Sequence, residues 1–159
     1  MQKTIERTTA TRPNSETSAP ATVASIQLCV KHGQPMKTVT SVRAIENHGL
    51  EGDRHARPNT SRQVLLLEQE TCEQYGFAMG AIRENITTQG IDLMSLRKGT
   101  KLEIGDAVLI TTKECEPCSM VDGVRMGLRE ELQHRRGMLA KVLRGGEMRV
   151  GDSISVMEK

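Results

Sequence analysis

The residues best suited to chemistry are two cysteines, Cys115 and Cys118, in the stretch "ECEPCS" that follows an apolar run at residues 107–112. Two cysteines at this spacing can hold zinc, cycle between a dithiol and a disulfide, or present one reactive thiol. The choice depends on what else the chain can place beside the two sulfur atoms.

A structural zinc site needs four Cys or His ligands, usually supplied as two close pairs. The remaining cysteines, Cys29 and Cys72, stand alone beside apolar stretches. The histidines are scattered through the sequence at His32, His48, His55 and His134. A zinc site would have to be assembled from distant loops, so the spacing does not favour one.

A redox pair fits the position better, since the two cysteines lie between a predicted strand and a predicted helix, whose N-terminus stabilises a thiolate. Glu114 and Glu116 flank Cys115, however, and their negative charge disfavours its thiolate form. Cys118 lies nearer the helix and has basic residues downstream. We therefore predict one working thiol, Cys118, with Cys115 as its neighbour or resolving partner. The alternative that both are incidental loop cysteines stays open.

The composition limits the class of protein. The chain has 159 residues, which is the length of one domain, and its core must be aliphatic because Tyr75 and Phe77 are the only aromatic residues. The formal net charge of +2, from 22 basic and 20 acidic residues, gives no reason to expect a nucleic acid partner. No apolar stretch reaches the roughly 18 residues of a membrane span, so no membrane partner is expected either.

The first 24 residues are rich in Thr, Ser and Ala and have no apolar block. We predict that residues 1–24 form a disordered tail and that residues 25–159 form a single domain. The segment lacks the apolar region of a secretory signal, although whether it is a leader of another kind stays open. Four cysteines without an export signal are expected to be thiols, which predicts a cytoplasmic protein.

The pattern of the remaining chain predicts a mainly β fold, a closed or curled β-barrel with one or two short helices. Short apolar runs separated by Gly, Asp and Asn predict strands at 25–31, 37–46, 62–68 and within 137–146, with a polar loop at 47–61. Gly-Asp pairs at 105–106 and 151–152 predict tight turns, each within a β-hairpin or a strand-turn-strand unit (residues 102–110 and 148–156). Helices are predicted at 69–76, ending at Gly76, and at 122–135, with Asp122 as N-cap.

Six segments resemble MOSC domains in their order and spacing: residues 49–55 ("GLEGDRH"), 62–70, 82–92, 96–112, 116–118 ("EPC") and 135–156. The MOSC domain is the C-terminal domain of molybdenum cofactor sulfurases and also occurs in stand-alone bacterial proteins. The resemblance covers about residues 25–157 and implies a strand-rich barrel.

The resemblance also implies functional residues. A cysteine that carries sulfur or ligates molybdenum maps onto Cys118, and the extra Cys115 leaves a dithiol function open. The expected cofactor-binding positions are Asp53, Arg54, Glu84, Asn85 and Arg136, with His55 as a proton donor or phosphate contact. The chain looks like the short form without an aminotransferase-like domain, so no pyridoxal phosphate is expected in this chain alone.

The basic residues are compatible with such a ligand, because the phosphate of a pterin cofactor attracts guanidinium groups and backbone N–H groups. Between residues 125 and 149 there are seven Lys or Arg against three Glu. Arg54, Arg57 and Arg62 could join them if the polar loop folds over the barrel mouth.

The predicted function is therefore binding of a molybdenum-pterin species, sulfur transfer on a cysteine, or both, with a sulfur-donor protein as a candidate partner. The alternatives are a non-catalytic binding module for an anionic ligand or partner protein, and a component of a molybdenum-dependent reductase of N-hydroxylated compounds.

Overall fold

The computed structural model of the chain describes residues 20–157. Its strands are β1 (Ala21–Leu28), β2 (Lys37–Val39), β3 (Ser41–Ile45), β4 (Gly49–Leu50), β5 (Val64–Glu68), β6 (Ile86–Gln89), β7 (Lys101–Ile104), β8 (Ala107–Glu114), β9 (Met138–Arg144), β10 (Gly146–Arg149) and β11 (Ser153–Val156). Its helices are α1 (Gln69–Tyr75), α2 (Ser119–Asp122) and α3 (Leu128–Glu131), with one 3-10 turn at Leu93–Ser95.

Seven strands close into a barrel in the order β11-β7-β8-β9-β5-β6-β1, and the pairing of β1 with β11 completes the ring. β2 pairs with the outer edge of β1, and β10, β3 and β4 form a separate small sheet. All pairs are antiparallel except β5 with β6. This architecture confirms the predicted mainly β barrel.

The first Gly-Asp pair makes the predicted hairpin between β7 and β8, with Gly105 at φ +58°. The second pair joins β10 to β11, which belong to different sheets, so it is a turn between strands and not a hairpin. The predicted helix at 69–76 is also confirmed, and it ends at Gly76 in the left-handed conformation.

Alternation along the strands separates the barrel interior from its outer wall. Val64 and Leu66 of β5 belong to the main core, together with Met138 and Ala140 of β9. The residues that alternate with these point to the outer wall of the barrel, where separate groups of apolar side chains cover them. Leu67 packs under the helices, and Leu65 packs with Leu139 and Cys115. This second apolar cover on the outer wall is the base on which the candidate site is built.

The predicted helix at 122–135 is wrong, because the segment breaks into α2 and α3. Gly127 adopts φ +88°, a left-handed conformation that an α-helix does not continue through. Asp122 is the last residue of α2 instead of an N-cap, and its Oδ1 accepts a hydrogen bond from the backbone N–H of Arg129 at 2.9 Å. Leu128 and Leu132 are buried, whereas Val124, one helical turn before Leu128 in the predicted helix, is exposed.

The domain boundary also differs from the prediction. β1 begins at Ala21, so residues 21–24 belong to the barrel, and Val23 is buried in its core. Their Thr- and Ala-rich composition hid this, because a strand needs only every second residue to be apolar. The rest of the predicted tail, residues 1–19, lies outside the described residues. No helix in the described part of the chain is long and apolar enough to cross a membrane.

Gly137, at the start of β9, tests how tightly the barrel wall is packed. A Cβ there would lie 2.6 Å from the carbonyl oxygen of Leu66, and φ is +127°. Gly99 has a similar positive φ of +88° but open space around it. Because only Gly137→Ala adds a clash with backbone, we expect it to lower the free energy of unfolding by about 2 kcal/mol more than Gly99→Ala does. Urea unfolding measures the free energy of unfolding of both variants. Equal losses would show that the barrel wall adjusts to the added Cβ at no extra cost in stability.

Candidate functional site

The strongest candidate site is a cavity of about 200 Å³ against the outer wall of the barrel. Five segments bring its lining together: the polar loop before β5, β5 itself, the link before β6, the link after β8, and the start of β9. The lining residues are His55, Arg57, Arg62, Gln63, Leu65, Arg83, Asn85, Cys115, Arg136 and Leu139. We call this cavity the arginine pocket.

The arginine pocket is electrostatically one-sided. Four of its ten lining residues are arginines, one is a histidine, and none is a carboxylate. Its floor is apolar, from Leu65 and Leu139. Positive charge beside a surface of low polarizability attracts anions more strongly than the same charge in open solvent. The arrangement is therefore suited to an anion.

Arg136 is the most unusual member of the pocket. Its side chain is only 4% exposed, and its Nη2 donates a hydrogen bond to the carbonyl oxygen of Ile82 at 2.6 Å. Nε and Nη1 have no hydrogen-bond partner among the described residues. A buried guanidinium is costly unless its donors are matched, so an anionic ligand would complete an arrangement that the protein leaves incomplete.

Asn85 holds the wall behind the pocket in place. Its Oδ1 accepts from the backbone N–H of Leu65 at 3.0 Å, and its Nδ2 donates to the carbonyl oxygen of Gln27 at 3.1 Å. Nδ2 also donates to Oδ1 of Asp53 at 3.3 Å, and that oxygen accepts a second bond from the backbone N–H of Cys29 at 2.7 Å. The Asp53 carboxylate therefore anchors the polar loop to the end of β1 and lies outside the pocket lining.

Glu84 is completely buried and also lies outside the lining. Burial raises the pKa of its carboxyl above the ordinary value, and the charge of Arg136 offsets this only in part. Its Oε2 accepts hydrogen bonds from the backbone N–H of Gly80 and from the hydroxyl of Thr87, whereas Oε1 has no partner among the described residues. Glu84 is thus a buried acid behind the pocket.

The sequence predicted Cys118 as the thiol beside the basic groups, but in the structure it is Cys115 that lies there. Cys115 is buried against Leu65 and Leu139 and lines the arginine pocket. Its backbone N–H donates to the carbonyl oxygen of Gly137 at 2.8 Å, which fixes the thiol beside the start of β9. Cys118 is exposed just before α2 and is not part of the lining.

Of the other expected residues, His55, Asn85 and Arg136 come together at the pocket, whereas Arg54 does not. The backbone N–H of Arg54 donates to the carbonyl oxygen of Cys29 at 2.6 Å, and its side chain is exposed. The polar loop and the residue after it still contribute two basic groups, Arg57 and Arg62. These side chains line the cavity against the outer wall of the barrel.

The other cysteines offer no second reactive centre. All four cysteines are free, and Cys29 and Cys72 are buried. Burial and the nearby charge of Glu84 raise the pKa of Cys72 to about 12, which keeps this thiol protonated near neutral pH. Between residues 20 and 157, no three or more His, Cys, Asp or Glu side chains gather as they would around a metal ion.

Sequence reasoning missed Arg83 and Gln63 as lining residues. Arg83 adopts φ +76°, a strained conformation for a bulky residue, and its Nη1 donates to the carbonyl oxygen of Gln34 at 2.6 Å. Its position directly before Glu84 and Asn85 is the one signal that could have drawn attention to it.

The buried Glu84 makes stability depend on pH in a defined direction. A carboxyl whose pKa is raised by folding contributes its stability below the unfolded-state value, about 4.3, and loses it as the pH rises through the raised value. Glu84→Gln removes this titration, so the stability of the variant relative to the parent should increase over that pH range. Urea unfolding at a series of pH values measures the difference.

Glu46→Gln, at an exposed position, is the matched control and should run parallel to the parent. A Glu84→Gln curve that also runs parallel would show that this carboxyl does not titrate in the range.

Comparison with known proteins agrees with the fold. The family model for the MOSC domain matches residues 53–155, which is more than half of the chain. No curated protein sequence matches the chain.

Several solved structures are similar in fold. The YuaD protein from Bacillus subtilis superposes with a TM-score of 0.75 at 19% identity, over 87% of this chain and 96% of that one. YiiM from Geobacillus stearothermophilus gives 0.70 at 20%, over 87% and 76%. YiiM from Escherichia coli gives 0.66 at 18%, over 88% and 69%. At such low identity these superpositions show a common fold alone. The family model shows the family: the chain belongs to the MOSC domain family.

Proposed function

We propose that the protein binds an anionic cofactor, and specifically a molybdenum-pterin species, with its anionic end in the arginine pocket. The observation that carries the proposal is Arg136, a buried guanidinium that lines the pocket with Nε and Nη1 unpartnered among the described residues. Membership of the MOSC family supports the choice of cofactor, since this family is associated with the molybdenum cofactor.

The donor set fits a metal that arrives already bound to an organic cofactor. A metal held by protein side chains alone needs several ligands, and no such cluster exists in residues 20–157. A molybdenum centre that is already held by the sulfur ligands of its cofactor would not need such a cluster, and Cys115, whose thiol is a soft ligand, would be the residue that holds it. When bound, the molybdenum would supply two-electron redox chemistry or transfer of an oxygen or sulfur atom.

The size of the pocket indicates which part of the cofactor it takes. About 200 Å³ is below the roughly 300–1,000 Å³ of a cavity that holds a whole drug-sized ligand. Only the anionic end of the cofactor fits this volume, either its phosphate or the metal centre with Cys115 beside it, and the exposed side chains of His55, Arg57 and Arg62 extend the site outward. The rest of the cofactor would therefore lie along the polar loop.

The residues of the pocket have separable tasks. Arg136 would bind and orient the anion through its two free N–H groups, because a guanidinium presents them in a fixed planar geometry. Leu65 and Leu139 exclude water beneath the anion and so strengthen this attraction. Asn85 fixes the backbone of Leu65, which keeps the apolar floor in register with the basic groups.

Arg57→Met and Arg62→Met test the pocket without disturbing the core, since both side chains are exposed. Each removes a charged hydrogen-bond donor from the lining, so we expect inorganic phosphate and molybdate to bind about tenfold more weakly. Isothermal titration calorimetry at fixed ionic strength measures both anions.

Arg54→Met is the matched control, because Arg54 belongs to the same loop and carries the same charge but lies outside the lining. An equal loss in all three variants would mean that only net charge matters, and this would contradict a defined site. Metal analysis of protein purified from a molybdate-supplied host separates cofactor binding from the capture of a simple anion.

Sulfur carriage on Cys118 is a second candidate function, favoured by the exposure of this thiol alone among the four cysteines. Transfer would begin with attack of the Cys118 thiolate on the outer sulfur of a donor protein's persulfide. A sulfur–sulfur bond forms at Cys118 as the donor's own sulfur–sulfur bond breaks, and the donor leaves as a thiolate. No net oxidation is needed, since the sulfur atom arrives already in the persulfide state.

Incubation with a persulfide donor tests this step. We expect a mass increase of about 32 Da, one sulfur atom, on the peptide that contains Cys118, because an accessible thiolate is the acceptor in such exchange. Cys118→Ser should abolish the adduct, and Cys115→Ser, at the buried position, should retain it. An adduct that persists in Cys118→Ser, or its absence from the parent protein, would contradict sulfur carriage at Cys118.

A further inference from the structure

A second cavity, of about 510 Å³, lies next to the arginine pocket and shares one lining residue with it. Strand β2, the loop at 78–83 and α2 surround it, and Arg83 is the one residue whose side chain lines both cavities. The most conspicuous lining side chains are three methionines, Met36, Met79 and Met120. We call it the methionine cavity.

Gln27 supplies the methionine cavity with one buried polar group. Its side chain is 1% exposed, and its Nε2 donates to the carbonyl oxygen of Glu84 at 2.9 Å and to the hydroxyl of Thr87 at 3.3 Å. The amide cannot be turned over, because Oε1 would then face the Glu84 carbonyl, acceptor against acceptor. Oε1 is therefore held as an acceptor, and it has no partner among the described residues.

An unpaired buried acceptor indicates what a ligand must bring. Burying a carbonyl oxygen without a donor disfavours the folded state, and an N–H group of a ligand would remove that penalty. The ligand is not expected to be a cation, because the lining contains no Asp or Glu and one arginine. The acceptor therefore selects a neutral N–H group.

The surrounding apolar groups indicate the shape of the ligand. Thioether sulfurs make favourable contacts with aromatic rings and adapt to their outline. Gly80 packs its backbone closely against the Gln27 side chain, since a Cβ there would lie only 3.1 Å from Cγ of Gln27. Met79 and Met120 are partly exposed, so both can close over a ring that enters from solvent.

We infer that the methionine cavity is a second binding site, for a planar, uncharged heteroaromatic ring whose N–H group donates to Oε1 of Gln27. The inference uses none of the basic groups that carry the anion proposal except the shared wall at Arg83. The two sites can therefore be tested separately, and either can fail without the other.

Indole and benzofuran are the matched probes, since both are flat bicyclic rings and only indole has the N–H donor. The chain contains no Trp, so indole can also be followed by its own fluorescence. We expect indole to bind about tenfold more tightly than benzofuran, because only indole satisfies the buried acceptor. Equal affinities, or no measurable binding of indole up to its solubility limit, would overturn the inference.

Methyl NMR of the methionines locates the site. Indole should shift the methyl resonances of Met36, Met79 and Met120 and leave that of Met126, which is 86% exposed and outside the lining, unchanged. Met79→Ala and Met120→Ala should each weaken binding several-fold by removing contacts between sulfur and the ring, whereas Met126→Ala should not. Shifts that omit the three lining methionines would place the ring elsewhere and overturn the assignment.

A parallel titration with inorganic phosphate keeps the two proposals distinguishable. Loss of indole binding in Met79→Ala or Met120→Ala with unchanged phosphate affinity supports two separate sites. If both ligands are lost together in a folded variant, the methionine cavity is part of the arginine pocket and is not a site of its own.

Discussion

The side chain of Asn85 is the constraint on which the rest of the site depends. With three hydrogen bonds it joins β5, the end of β1 and the carboxylate of Asp53, which in turn holds the polar loop. Its backbone adds bonds to Leu65 and Gln27 at 2.8 and 2.7 Å. These contacts are buried, where water cannot replace them, so they fix the relative position of segments that are far apart in sequence. The arginine pocket is built on the segments that Asn85 joins, and Gln27, one of its partners, also lines the methionine cavity.

Next to Asn85 the protein buries two ionisable groups of opposite charge, the carboxyl of Glu84 and the guanidinium of Arg136. Glu84 has one carboxyl oxygen without a partner, and Arg136 has two N–H groups without one, among the described residues. Burial raises the pKa of Glu84 and the charge of Arg136 lowers it in part, but no hydrogen bond joins the two side chains. The Nε and Nη1 groups of Arg136 therefore remain available to a ligand. Leaving them unpaired lowers the free energy of unfolding, and a bound anion would raise it again.

The Cys-x-x-Cys stretch divides between two environments, which explains why its chemistry was ambiguous from spacing. Pro117 is buried between the two cysteines, of which Cys115 lines the pocket and Cys118 is exposed to solvent. A buried thiol beside basic groups suits a ligand that stays in place. An exposed thiol suits exchange with a partner. The two proposed roles of the cysteines follow from this difference in access.

Local sequence by itself determined the elements whose causes are local. Several strands followed from alternation and β5 from a continuous apolar run. The end of α1 followed from Gly76 at φ +74° and the hairpin from Gly105, and the ordered segments were enough to indicate the MOSC family. Tertiary structure alone decided which side of the barrel carries the site. Arg83, Cys115 and Arg136 meet at the outer wall because β8, β9, β5 and the link before β6 are neighbours only after the barrel closes. The spacing of these residues along the chain does not reveal that they meet, because their meeting depends on the strand order and on whether each side chain points inward or outward.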